Sequence, residues 1–233
     1  MLILAFETSA KAGSVALMHN GVLLGESYCN TGMTHSQTVM PMAQELLRNC
    51  GYKPEDVQAV AVAAGPGSFT GVRIGVAAAK GFAWARQIPC YGVSTLESMA
   101  YSLGLWQGYA VCTMDARRNQ VYNAVFRFEK GVPHRICEDR AISLEELSQH
   151  LKDLEGPLYL AGDGSNLCYS MLHDQLPDLV LPQEHRLHQR ASGVALAAQA
   201  AIDRGEAGDG AALVPNYLRL SQAERERLAR EQK

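Results

Sequence analysis

Gly65-Pro66-Gly67-Ser68-Phe69-Thr70-Gly71 separates the apolar run Val57 to Ala63 from the small and apolar stretch Val72 to Arg86. The run before it is apolar without alternation, the pattern of a strand buried on both faces, and the longer stretch after it predicts a helix. A strand, a glycine-rich loop and a helix in that order form the unit of an α/β protein. The loop is not a P-loop, because G-x-x-x-x-G-K-[ST] requires a lysine after the second glycine and Gly71 is followed by Val72. Nor is it a dinucleotide fingerprint. Two readings stay open. In one, glycines supply positive φ in a tight turn, Pro66 fixes the chain and Ser68 or Thr70 caps the helix; in the other, the helix N-terminus holds an anion.

Upstream, Leu2 to Phe6 and Ser14 to Met18 are short apolar runs joined by the small, polar stretch Thr8 to Gly13, which predicts a hairpin. The Asn20-Gly21 turn signal leads into a third antiparallel strand, Val22 to Tyr28. Thr34 or Ser36 caps a helix that runs to Cys50 and stops at Gly51, with Pro41 near the first turn, where its missing N–H is tolerated. Downstream, Ile88 to Val93 predicts a strand, and Ser94 caps a short helix through Tyr101. Tyr109 to Met114 and Gln120 to Phe128 then repeat the opening hairpin, with Asp115-Ala116-Arg117-Arg118-Asn119 as the turn. A helix opened by the capping box Ser143-x-x-Glu146, a strand at Leu158 to Ala161, the loop Gly162-Asp163-Gly164-Ser165 and an Ala-rich helix from Ala191 to Ile202 follow. This duplication predicts two related α/β subdomains with a cleft between them. Their spans are residues 1–106 and residues 107–220, the last helix packing back on the first subdomain, with the crossover at Gly104 to Gly108 and a charged tail at 221–233. One continuous α/β sheet is the competing reading.

The 233 residues are 47% hydrophobic and 19% charged, enough apolar material for a sizeable core, which excludes disorder and fibre. No run of about 18 apolar residues occurs, and Leu2 enters a strand without a basic leader, so the expected location is the cytoplasm. The cysteines at 29, 50, 90, 112, 137 and 168 lie far apart without a C-x-x-C, which points to buried free thiols rather than zinc or redox pairs. The net charge of -3 gives no overall pull toward nucleic acid. A local patch stays open, and any RNA is expected to be held with a partner.

Chemical constellations are few. None of the seven histidines pair at helical i, i+4 spacing, and His185 and His188 follow Pro182 in a polar loop. Ser68 and Ser94 have no neighbouring histidine and no G-x-S-x-G motif, so serine hydrolysis has no support. Glu7, Thr8 and Ser9 at the first hairpin tip are candidate nucleotide or phosphate contacts, together with Ser68 and Thr70, although a hairpin turn favours the same residues. Asp115 and Arg117 at the second tip are candidates too, but that tip lacks the glycines that a close phosphate wrap needs. The two long helices of the first half are apolar over more than one face, and the excess must pack on other helices of the chain or on a partner. Gly71, Gly75 and Ala79 recur at four-residue spacing, a ridge that lets a second helix come close. With them, Val39, Met42, Leu46, Arg73 and Phe82 make the candidate partner interface, and packing inside the chain is the competing reading.

The opening Leu2-Ile3-Leu4-Ala5-Phe6-Glu7-Thr8-Ser9, the string from Gly65 to Gly75, Gly92-Val93-Ser94-Thr95-Leu96, the Asp115-Ala116-Arg117 turn with Val121-Tyr122, and Pro215-x-Tyr217-Leu218-Arg219 together resemble the bacterial TsaB (YeaZ) family. The match covers nearly the whole chain, and GPGSFTGVRIG is its most specific part. The resemblance implies an actin-like ATPase fold of the sugar-kinase and heat-shock-chaperone type. It implies a part in making N6-threonylcarbamoyladenosine at position 37 of tRNAs that read codons beginning with A. The implied role is a non-catalytic scaffold for its paralogue TsaD, which transfers the threonylcarbamoyl group, with TsaE as a further partner and tRNA reached through the complex. A homodimer in the absence of TsaD, no membrane, no cofactor in the isolated chain, and ATP or ADP in the complex with TsaD are implied as well. TsaD-type chains carry a metal-binding H-x-x-x-H after a G-V-H strand end. Here Thr95 and Met99 fall at its positions, and a hydroxyl and a thioether are poor ligands, so no metal is expected. Glu7 stands where aspartate is usual and looks like TsaD's own opening, which leaves the nucleotide contact open. The rival class is an enzyme, a glycoprotease-like peptidase or an independent actin-like ATPase, for which no zinc site or nucleophilic dyad can be assembled from the sequence.

Overall fold

The computed structural model describes residues 1–219, so the charged tail at 221–233 lies outside the described residues. The chain builds two mixed sheets, which excludes the single continuous sheet. In the first, β1 (Leu2–Glu7), β2 (Gly13–His19) and β3 (Val22–Cys29) form an antiparallel meander. Strands β4 (Ala59–Ala63) and β5 (Cys90–Val93) extend it in parallel on the other side of β1. The uniformly apolar runs conceal a period of two in side-chain size. Leu4, Phe6, Val60 and Val62 meet α1 (His35–Asn49) and α2 (Phe69–Arg86) on one face. Ile3, Ala5, Ala59, Ala61 and Ala63 meet α6 (Ala191–Asp203) on the other. Alanines on both sides of that second contact let α6 lie close to the sheet, which accounts for its composition.

The N-terminus of α6 is fastened by the sheet it covers. Ala191 N–H donates to Ser14 Oγ at 2.8 Å, and Ser192 N–H donates to Glu26 Oε1 at 3.0 Å. The Ser192 hydroxyl and Arg190 also bond to the Glu26 carboxylate, a negative charge placed where the helix dipole favours one. Replacing Glu26 with Ala is expected to lower stability by about 1–3 kcal/mol, since it removes charge-assisted bonds from a part-buried cap. Urea denaturation of the two proteins checks this, and equal midpoints would count against it.

In the second sheet, β6 (Gln107–Asp115) and β7 (Gln120–Glu129) form the repeated hairpin. Strands β8 (Val132–Arg135) and β9 (Arg140–Ser143) share the free edge of β7. After α4 (Leu144–Lys152), which Ser143 and Glu146 cap reciprocally, β10 (Leu158–Ala161) pairs with β6. Following α5 (Ser165–Leu172), β11 (Leu179–Val180) closes the other edge. Between the sheets stands α3 (Thr95–Leu103), packed on α6 and, through Leu96, Met99, Ala100 and Leu103, on the inner residues of β6 and β7. Pro41 differs from expectation: it lies in the interior of α1 rather than near its first turn. Its absent N–H leaves the Gln37 carbonyl without a helical partner, on the exposed side where water serves it. No described helix is long and apolar enough to cross a membrane.

Candidate functional site

A cleft of about 570 Å³ opens where the β1–β2 turn faces the β6–β7 turn across the two subdomains. Ser9 and Lys11 border it from the first turn, Asp115 and Arg117 from the second, and Ser68 and Thr70 from the start of α2. The glycines of the loop are set by close approach of the chain to itself. Gly65 has φ of +112°, and a Cβ there would overlap the Asn216 carbonyl; a Cβ on Gly71 would overlap that of Thr8. The tight-turn reading therefore describes the loop, with Ser68 as the cap, its hydroxyl accepting from Gly71 N–H at 3.3 Å. The first-turn N–H groups of Phe69 and Thr70 remain at the helix end that borders the cleft.

Of the candidate phosphate contacts, Ser9, Ser68, Thr70, Asp115 and Arg117 come together here. Glu7 and Thr8 do not, and their reading as contacts is corrected. Both are fully buried beneath α2: Thr8 Oγ1 donates to the Gly71 carbonyl at 2.7 Å, and Glu7 Oε1 accepts from Ser9 N–H at 2.6 Å. Their role is to hold the first turn under the helix. Burial pushes the Glu7 carboxyl up to about 7, partly opposed by its bonds to Ser9, with nearby Asp163 adding to the rise. Asp163 at the cleft mouth is raised as well, chiefly because the surrounding protein strips its water.

A folded-state value of about 7 against an ordinary 4.5 means that the folded chain keeps a proton which the unfolded chain has lost between those pH values. Stability is thus expected to fall as pH rises through that window, by about 3 kcal/mol in all, and then to level off. Glu7→Gln should flatten this part of the profile. Denaturation midpoints at about pH 5 and about pH 8 check it. A substitution effect of the same size at both values would overturn the assignment.

The segment before residue 220 forms the third wall, and nothing in the local sequence pattern announced it. Leu213 enters the core beside Gly92, and Lys80 Nζ donates to its carbonyl at 2.8 Å. Asn216 N–H donates to the Ala64 carbonyl at 2.6 Å. The Tyr217 ring stacks on Phe69 at 4.3 Å, with the Arg73 guanidinium over Phe69 and Arg73 Nε donating to the Tyr217 hydroxyl at 2.8 Å. Arg219 then crosses to the second subdomain and donates to the Ala116 carbonyl at 2.6 Å. The Pro215-x-Tyr217-Leu218-Arg219 string is thus a strap along the cleft.

The candidate interface on α1 and α2 divides. Val39, Leu46, Gly71, Gly75 and Ala79 are buried in the chain itself, so the expectation that they meet a partner is corrected. The small-residue ridge faces inward because a Cβ on Gly75 would overlap Thr8 Oγ1 and press Val62. Met42 and Phe82 are partly buried, and Arg73 is exposed under the strap contact. What α2 leaves outside is Ala77, Gly81, Ala85 and Trp84, 85% exposed, and α1 adds Met40. These residues were passed over because periodicity cannot orient a helix that is apolar all round.

Thr95 and Met99 are buried in the core around α3. Among the described residues no group of three or more His, Cys, Asp or Glu side chains is placed to hold a metal ion, and His188 of the histidine-bearing loop turns to Glu184. Ser94 Oγ donates to Asp139 at 2.6 Å, and Arg135 joins Asp139 to Glu97, a polar bridge between the halves.

Comparison with known proteins finds relatives over nearly the whole chain. The family model described as "TsaD: tRNA N6-adenosine threonylcarbamoyltransferase" matches residues 30–227. The tRNA threonylcarbamoyladenosine biosynthesis protein TsaB of Bacillus subtilis is 34% identical over 225 residues, 96% of each chain. The Escherichia coli protein of the same name is 36% identical over 169 residues, 70% of this chain and 72% of its own. The solved structure of YeaZ from Pseudomonas aeruginosa superposes with a TM-score of 0.80 at 29% identity, over 93% of this chain and 99% of that one. Another, described as similar to the peptidase YEAZ from the same organism, gives 0.82, again at 29% identity, over 94% of this chain and 99% of that one. The ethanolamine utilization protein EutJ from Carboxydothermus hydrogenoformans, at 12% identity, shares the fold alone, with a TM-score of 0.53 over 84% of this chain and 90% of that one. The α/β fold with two sheets is the one that the YeaZ structures share.

Proposed function

This chain belongs to the TsaB family of tRNA threonylcarbamoyladenosine biosynthesis proteins, and from that premise we propose that it is the non-catalytic scaffold that binds TsaD and supports threonylcarbamoyl transfer to adenosine 37 of tRNA. The observation that carries this reading is the outer face of α2, where Ala77, Gly81, Trp84 and Ala85 stand exposed, with Met40 of α1 exposed as well. Small residues along a helix let a second helix approach closely, and an exposed tryptophan at the end of the row supplies apolar area to bury. TsaD is an apt occupant in this reading, and the match of its family model to residues 30–227, which span α1 and α2, supports a paralogue that carries a corresponding helix pair. A second copy of this chain uses the same face when TsaD is absent, so the two associations compete. TsaE and tRNA join through the complex, in the cytoplasm.

The chemistry of transfer belongs to the partner in this reading. Thr95 and Met99 supply neither a charge nor an imidazole, and both are buried. ATP or ADP is held in the complex with TsaD. The isolated chain is expected to bind nucleotide more weakly than about 100 μM, because Glu7 and Thr8 are covered and the second turn has no glycine to wrap a phosphate. Isothermal calorimetry checks this, and a dissociation constant near 1 μM would contradict it.

Reconstitution tests the reading as a whole. Purified chain, its organism's TsaD and TsaE, the threonylcarbamoyl-adenylate synthase, ATP, threonine, bicarbonate and unmodified tRNA should give modified adenosine only when the chain is present. The chain alone should neither modify tRNA nor cleave peptide. Full modification without the chain, or activity of the chain alone that a single substitution in it removes, would overturn the reading.

A further inference from the structure

We propose that the mouth of the cleft is a contact surface for the phosphate backbone of an RNA, formed by Lys11, Arg117, Arg118 and Arg219; the choice of RNA rests on the tRNA-modification reading above. Two hairpin turns, one from each subdomain, carry Lys11 and Arg117 to the lining of one opening, with Arg118 exposed next to Arg117 on its turn. Lys11 lies on the β1–β2 turn, Arg117 and Arg118 lie on the β6–β7 turn, and Arg219 lies on the strap that joins them through the Ala116 carbonyl. Lys11, Arg117 and Arg118 are exposed. Among the described residues none of the four takes part in an ion pair, whereas Arg48, Arg127, Arg135, Arg190 and Arg204 all do.

The turn that carries two of them is held in an unfavourable conformation. Arg117, Arg118 and Asn119 have φ of 65°, 57° and 55°, successive left-handed positions without a glycine, with Arg117 N–H donating to Asp115 Oδ1 at 2.6 Å. Glycine at these positions would serve a hairpin better, so the arginines there have a reason beyond the turn.

The arrangement suits a chain of phosphates better than a nucleotide. Close wrapping of one polyphosphate needs glycines on both turns and accessible floor residues, whereas Asp115 to Asn119 has no glycine and Glu7 and Thr8 are buried. Asp115 and Asp163 border the same cleft and are exposed, so they offset part of its positive charge. Long side chains from both subdomains can follow a repeating charge across the opening. Ser68 and Thr70, at the start of α2, offer hydroxyls between the two groups of cations. Tyr217, 37% exposed on its stack with Phe69, offers a ring edge and face where an unpaired base can rest.

Fluorescence anisotropy of labelled unmodified tRNA with the full chain tests the proposal. Binding at about 50 mM salt should weaken steeply toward about 200 mM. The double reversal Arg117→Glu with Arg118→Glu should weaken it at least about tenfold and reduce the slope of log K against log salt by about 1.5 to 2. Arg117→Gln with Arg118→Gln should give a smaller loss in the same direction. Lys53→Glu, before the opposite end of β4, should leave affinity within about twofold, and all variants should keep the wild-type thermal transition. Failure of wild-type chain to bind tRNA at about 50 mM salt, wild-type affinity in the folded double reversal, or displacement of tRNA by ATP at about 1 mM would overturn the proposal. TsaD capture and tRNA modification, measured on the same proteins, separate the two ideas. Loss of both from the wild-type chain strikes at the scaffold reading, whereas their retention beside unchanged tRNA affinity in the double reversal strikes at the RNA surface alone.

Discussion

Ala77→Arg is expected to abolish association with TsaD while leaving the chain folded. Ala77 is exposed on the outer row of α2, one turn from Arg73 and one from Gly81, so the monomer accommodates a long side chain in water at a cost within about 0.5 kcal/mol. In a helix-on-helix contact the same side chain separates the backbones and buries an unpaired guanidinium. The penalty is several kcal/mol, and affinity should fall by more than about 100-fold. Trp84→Asp at the end of the row should act in the same direction, by removing the largest exposed apolar surface on the helix. Co-purification with TsaD, size exclusion of the isolated chain and the yield of modified tRNA should all respond together, with the thermal transition moved by no more than about 2 °C. Wild-type TsaD affinity in both folded variants would place the interface elsewhere.

Ala79→Arg, only two residues further on, is expected to prevent folding altogether. Its side chain points the other way, into the cluster of Leu4, Phe6, Val60 and Val62, and it is fully buried. An arginine there is left without water and without an anionic partner. The cost exceeds about 4 kcal/mol, a large part of the 5–15 kcal/mol that stabilises an ordinary domain. Gly75→Ala, one turn earlier, should cost about 1–3 kcal/mol, because its Cβ overlaps Thr8 Oγ1 and disturbs the bond from Thr8 to the Gly71 carbonyl. Urea denaturation followed by circular dichroism distinguishes the two: no cooperative transition for the first, a shifted midpoint for the second. A soluble Ala79→Arg protein with the wild-type midpoint would show that the inner and outer faces of α2 have been exchanged.

Residues two apart on one helix thus have opposite expected effects, and the sequence does not distinguish them. The stretch from Val72 to Arg86 is small and apolar all round, so no periodicity shows which side meets the sheet. The hairpins, by contrast, were legible, because short apolar runs and turn residues are signals carried within a few positions of one another. The same holds for the Ser143 and Glu146 capping box and for the strand from Leu158 to Ala161. Strands β8 and β9 were not legible, since each is four residues long and exists only by pairing with a neighbour on β7. At the cleft, Ser9, Ser68, Thr70, Asp115 and Arg117 were recognisable as residues that hold anions, but Glu7 and Thr8 carry the same chemistry and are buried under a helix that starts more than 60 residues later.

Local physics written in the sequence determined the order of strands and helices, the glycine loop before α2 and the duplication that makes two halves. Turns, caps and alternation depend only on near neighbours, and those are present in any short stretch of chain. The tertiary structure alone decided which face of α2 is left exposed, that residues 213–219 return as a strap along the cleft, and that Lys11 and Arg117 from the two turns border one opening. Each of these depends on burial and charge contributed by segments distant in the chain, and solvent exclusion is a property of the assembled fold rather than of any stretch within it.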